Sequence, residues 1–111
     1  MNYEKTLSAL QKSWCLESSS IFDKKNPSIG QCSVTAIVLQ REFGGIILKT
    51  QTNGIWHYYN NINGDIYDFT SCQFSEKIQY QNITSSVEEA LTDCTESQVA
   101  ALTSRFKKFY K

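Results

Sequence analysis

Apolar residues follow a helical period toward both ends of this chain and a period of two in its middle. Tyr3, Leu7, Leu10 and Trp14 recur at the three-and-four spacing of one helix face, so an amphipathic helix is expected from Tyr3 to about Cys15. From Leu16 to Gln31 the period disappears. Ser18, Ser19 and Ser20, the run Asp23-Lys24-Lys25-Asn26-Pro27 and Gly30 are turn formers, and the segment reads as a long loop. Cys32 to Phe43 is then apolar on most sides, through Val34, Ala36, Ile37, Val38, Leu39 and Phe43. A helix of that kind belongs at the centre of a fold, and Gly44-Gly45 should end it.

The alternation that follows predicts strands. Ile46 to Thr52 and Ile55 to Asn60 flank Asn53-Gly54, a strong hairpin signal. Asn61 to Gly64 turns the chain again into Asp65 to Thr70, giving at least three antiparallel strands. Ser71 to Thr84 is irregular, with an edge strand expected around Lys77 to Tyr80. Ser85 or Ser86 can cap a short helix from Val87 to about Thr92, with Glu88 and Glu89 in its first turn. Thr95-Glu96-Ser97-Gln98 has capping-box spacing and opens a last helix to about Tyr110. The predicted fold class is α+β: central N-terminal helices packed on a small antiparallel sheet, followed by a C-terminal helix, in a single domain spanning 1–111.

Charge and cysteine spacing narrow the function classes. Eleven basic and eleven acidic residues cancel, which removes the electrostatic case for binding nucleic acid or an anionic membrane. The first residues lack the basic-then-apolar pattern of a secretory signal, so a cytoplasmic protein is expected. Cys15, Cys32, Cys72 and Cys94 are widely spaced without a CxxC pair, a poor fit to a disulfide framework or a zinc site. Neither a metal nor a cofactor is expected.

The stretch with most chemistry in it is Gly30-Gln31-Cys32-Ser33-Val34-Thr35-Ala36, which places Cys32 at a helix start. The first N–H groups of a helix are unpaired and, with the macrodipole, favour negative charge there. A thiolate is the nucleophilic form of cysteine, so a helix-start cysteine with a histidine in reach is suited to covalent catalysis. His57 is the only histidine. Hairpin geometry ties it to Asp68. With a two-residue loop at Asn63-Gly64, His57 is the diagonal same-face neighbour of Asp68; a four-residue loop sets the two directly opposite, and a three-residue loop separates them. On a shared face the imidazole could donate Nδ1–H to the carboxylate. Gln31 could help hold an oxyanion beside the Cys32 backbone N–H, or cap the helix. Structural readings stand beside these: Cys32 as a buried small hydrophobe, His57 as a packed histidine, Asp68 as a turn residue, and Cys15, Cys72 and Cys94 as structural thiols.

Several blocks resemble the YunG-like family of small bacterial proteins: Trp14 with Ser18 to Ser20, Gly30 to Ala36, Phe43-Gly44-Gly45 with Ile47-Leu48-Lys49, His57 to Asn60, Asp68-x-Thr70, Gln73-Phe74 and Ser85 to Leu91. Cysteine at a helix start, then histidine on one strand and aspartate on the next, is also similar in order to transglutaminase-like and papain-like cysteine enzymes. That arrangement implies a papain/transglutaminase-like core and a Cys32-His57-Asp68 triad catalysing acyl transfer, as an amidase, peptidase or deamidase acting on a peptide, protein or small amide substrate. The alternative is a non-catalytic binding module of the inhibitor or immunity type. Such a module would keep the cleft and present Trp56 and Tyr58 to a partner from the face opposite His57. The oligomeric state is left open.

Overall fold

A helix with almost no polar face cannot sit on a surface, and the segment from Cys32 to Phe43 does not. In the computed structural model, which describes residues 1–21, 25, 30–71 and 77–110, this helix (α2, Cys32–Phe43) buries every residue from Ser33 to Leu39. Val34, Ile37, Val38 and Leu39 are wholly inaccessible and form the middle of the core with Leu10, Trp14, Tyr58, Leu102 and Phe106. Pro27, Cys72, Gln73 and Phe74 lie outside the described residues.

The preceding helix (α1, Tyr3–Ser13) starts where Asn2 Oδ1 accepts the Lys5 N–H at 2.9 Å, satisfying one of the free donors of the first turn. It ends two residues before the expected boundary, where the chain turns at Trp14. The Trp14 indole is buried and donates to Thr35 Oγ1 of α2 at 2.9 Å, so its role is packing with a satisfied polar end.

Two strands (β1, Ile46–Thr52; β2, Ile55–Ile62) form the first hairpin, pairing from Ile46↔Asn61 to Thr52↔Ile55. Asn53 (φ 52°) and Gly54 (φ 79°) both sit in the left-handed region, as a tight twisted hairpin requires. The third strand (β3, Asp65–Tyr67) is shorter than expected. Its ladder stops at Asn60↔Tyr67 because Asp68 Oδ1 accepts the Thr70 N–H at 3.2 Å, a local turn that competes with strand pairing.

The fourth strand is Ile83–Thr84 (β4), which pairs with β1 and gives the antiparallel sheet order β3-β2-β1-β4. Lys77 to Tyr80, expected as an edge strand, carries no regular structure. Residues 79–82 instead bond sideways onto the sheet: Thr50 Oγ1 donates to the Gln79 carbonyl, and Tyr59 Oη accepts the Asn82 N–H. Four consecutive β2 residues, His57 to Asn60, are therefore buried. Asn60 reaches α2, donating to the Ala36 carbonyl at 3.0 Å, while Tyr59 lies under Tyr80 on the other face.

A single helical turn (α3, Val87–Ala90) is capped by Ser86, and the last helix (α4, Glu96–Phe109) opens with the expected capping box of Thr95 and Gln98. Val99, Leu102 and Phe106 bury its inner face. Arg105 fastens α4 to α1, its guanidinium donating to the Ser13 and Lys12 carbonyls at 2.7 and 3.1 Å. These are unpaired acceptors of a helix C-terminus, where a cation is favoured. No described helix is long and apolar enough to cross a membrane.

Candidate functional site

The second hairpin turns at Asn63 (φ 55°) and Gly64 (φ 86°), with Ile62↔Asp65 as its closing pair. It is the two-residue loop. Continuing that register one step past the ladder sets Asp68 beside Tyr59 and diagonal to His57. His57 and Asp68 meet there, with Nε2 2.7 Å from Oδ2. The contact is dry, His57 being 0% exposed and the Asp68 side chain 6%. The nitrogen facing the carboxylate is Nε2 rather than Nδ1, because the ring is turned so that Asp68 lies off its far edge. Nδ1 is sealed from solvent.

Asp68 has partners besides the histidine. Oδ2 also accepts the Tyr80 hydroxyl at 2.7 Å, and Oδ1 accepts the Thr70 N–H and hydroxyl at 3.2 and 3.3 Å. A carboxylate held by four donors is fixed in direction. The Tyr80 ring packs edge-on against Tyr59, 4.9 Å between centroids, and Tyr59 stacks 6.1 Å from His57. Burial and the adjacent Asp68 carboxylate hold the Tyr80 hydroxyl well above its ordinary range, so it stays a donor.

Burial alone would push the His57 pKa down. The hydrogen bond to Asp68, the Cys32 side chain and the negative charge available at both outweigh it and raise the imidazole to about 9. Cys32, half-buried as the first residue of α2, is thus the third group acting on the ring. The structure brings Cys32, His57 and Asp68 into one interacting group from a helix start, a strand and the turn after the next strand.

Gln31 serves the loop instead of the helix end. Its wholly buried side chain makes no cap hydrogen bond; Oε1 accepts from Ser18 Oγ at 2.8 Å and Nε2 donates to the Cys15 carbonyl at 3.3 Å. Ser18 also spans the Cys15 backbone, accepting from its N–H and donating to its carbonyl. Gln31 and Ser18 therefore clamp the end of the first helical segment to the residue preceding Cys32. Cys15 and Cys94 are partly buried free thiols.

Tyr58 points to the face opposite His57, but that face is core: it is 3% exposed, and burial together with Asp93 and Glu89 pushes its hydroxyl up to about 12. The expected partner surface of Trp56 and Tyr58 therefore reduces to Trp56, 37% exposed and covered by Lys49, whose Nζ lies 4.2 Å from the ring centroid. Among the described residues no cluster of three or more histidines, cysteines and carboxylates is arranged to hold a metal ion.

Thr70 and Tyr80 belong to the group although sequence reasoning passed them over. The Asp-x-Thr spacing carried a usable signal, since a side chain that bonds its own backbone two residues on is a recurrent turn device. Tyr80 had none, because an irregular segment separates it from Asp68.

No solved structure matches the chain, and a papain-like core has no support from known folds beyond the α+β architecture itself. Relatives are more telling. The Uncharacterized protein YunG of Bacillus subtilis (strain 168) is 50% identical over 99 residues, an alignment covering 89% of this chain and 86% of that protein. The family model described as YunG protein matches residues 2–111, and on these matches the chain belongs to the YunG family.

Proposed function

We propose that this protein is a thiol-dependent acyl-transfer enzyme acting on an amide bond. The observation that carries the reading is the position of the sole histidine, enclosed between a four-donor carboxylate at 2.7 Å and a cysteine at the head of the central helix. A buried ion pair is costly to keep unless something uses it, and strongly shifted groups concentrate at functional sites.

In this reading Cys32 and His57 rest as a thiolate–imidazolium pair, the thiol's proton held on the ring, and the sulfur attacks the carbonyl carbon of the substrate. The N–H groups at the start of α2 stabilise the oxyanion of the tetrahedral intermediate. When the C–N bond breaks, the imidazolium returns its proton to the departing amine, leaving a thioester on Cys32. Water, deprotonated by His57, then releases the acid; an amine in its place would give transfer. Asp68 fixes the ring and stabilises its charge, and Thr70 and Tyr80 fix Asp68. The transglutaminase-like or papain-like order of the three residues supports this assignment by analogy of arrangement.

Alkylation with iodoacetamide from pH 5 to 9, read by peptide mass spectrometry, tests it. Cys32 is expected to react at least about tenfold faster than Cys15, Cys72 or Cys94, and His57→Ala to abolish the difference. Equal labelling of all four thiols, or no change in His57→Ala, would defeat the proposal.

A further inference from the structure

A small polar cavity of about 140 Å³ lies between the segments that flank α2 on its N-terminal side and the start of α4, lined in part by Ser19, Ser20, Gly30, Asp93, Cys94 and Gln98. It lies near the head of α2: Gly30 is two residues before Cys32, and the Cys94 thiol is hydrogen-bonded to Ser33, the residue after Cys32. The volume holds about four or five water-sized groups, enough for an amino-acid-sized unit and too little for a large side chain.

Its lining sorts into one acceptor end and one donor. Among the described residues the Asp93 carboxylate has neither an ion pair nor a side-chain hydrogen bond, whereas other carboxylates nearby are engaged: Glu96 with Arg41 and Glu89 with Lys49. Gln98 spends Oε1 on the Thr95 N–H of the capping box, which leaves its amide N–H₂ to donate. Ser20 adds an exposed hydroxyl. A primary ammonium beside a carbonyl matches this pattern, the ammonium on Asp93 and Ser20 and the carbonyl oxygen on Gln98.

Building on the acyl-transfer reading, we infer that this cavity binds an acyl group bearing a free α-amino function, so that the substrates are amides of unblocked amino acids or of peptide N-termini. Asp93 and Gln98 are its specificity-determining residues, and they hold the amino end while the carbonyl carbon is presented to Cys32.

The probes are glycinamide and N-acetylglycinamide, titrated into the full-length, ¹⁵N-labelled protein and followed by NMR. Glycinamide is expected to shift the backbone amides of Asp93 and Cys94 and the Gln98 side-chain N–H₂ saturably, and N-acetylglycinamide to bind about 10- to 100-fold more weakly. Asp93→Asn should remove that preference with the fold intact. No saturable shift at these positions, or equal affinity of the two probes, overturns the inference. Because binding is read without turnover, that result is separate from failure of the nucleophile reading, which the Cys32 alkylation rates decide. If Asp93→Asn disturbs the spectrum globally, Gln98→Ala, which leaves the carboxylate in place, should lower glycinamide affinity by a smaller factor; unchanged affinity there also counts against the inference.

Discussion

Replacing Asp68 by asparagine keeps the size of the side chain and removes the charge that holds His57 protonated. The wild-type imidazole titrates at about 9 against an ordinary 6.5, so the folded state binds a proton that the unfolded chain gives up between those values. The raised pKa contributes stability that is complete below about pH 6.5 and lost as pH rises toward 9. At about 1.4 kcal/mol per unit, the loss across that window is on the order of 3 kcal/mol. In Asp68→Asn burial acts on the ring with only Cys32 left to oppose it, and the His57 pKa should fall well below 9. The deficit of the variant relative to wild type is then largest near pH 6 and shrinks by up to about 3 kcal/mol toward pH 9.

With one histidine in the chain, its ring proton resonance reports the titration without assignment. Urea unfolding at pH 6, 7, 8 and 9, followed by the fluorescence of Trp14 and Trp56, reports the stability. A wild-type midpoint near 6.5, or a stability difference that stays constant across pH, would refute the reasoning.

Tyr80→Phe removes one of the two donors on Asp68 Oδ2 while keeping the ring against Tyr59; thermal melting should show a loss of about 1–2 kcal/mol, and no loss would mean that the exposed hydroxyl is equally well served by water. Gly45→Ala should cost more, on the order of 2–4 kcal/mol by urea denaturation, because φ is 79° and the added Cβ would run into the Asn61 backbone carbonyl. Gln31→Ala, which unclamps Cys15 and Ser18, should lose the two side-chain hydrogen bonds that tie these residues to the start of α2 and cost about 1–3 kcal/mol; hydrogen exchange should speed up at Ser18 and Ser19 well before it does in α4.

The central helix and first hairpin were legible because their signals are local. An apolar run ending in glycines and an Asn-Gly step between alternating segments each depend on a few adjacent residues. The meeting of His57 and Asp68 was legible one level higher, since turn length sets strand register and register sets the shared face. What escaped depends on distant chain. Tyr58 reads as a surface aromatic until α2 is known to lie over it, and Tyr80 becomes a partner of Asp68 only once residues 79–82 have crossed the sheet. Gln31 follows a related logic: its position suggests an oxyanion donor or a cap, and the cap is not made because its side chain turns to Ser18 and Cys15, partners that no local rule could foresee. Asp68 shows that local chemistry can also override a periodic pattern, as its bond to Thr70 ends a strand that alternation would have extended.

The Arg105 bridge couples the first helix to the last, across nearly the whole chain. Those carbonyls of α1 gain this partner only when the chain is almost complete. Bringing residues so far apart in sequence together carries a loop-closure cost that early folding steps cannot repay. During synthesis, then, the bridge between α1 and α4 would close only after α4 has left the ribosome, while near contacts such as Trp14 with Thr35 and the β1–β2 hairpin could already have formed. A chain broken off before Arg105 would lose this tie and, with Phe106, part of the core on which α2 packs. The two ends of the chain would thus be fastened together last, and only on a finished molecule.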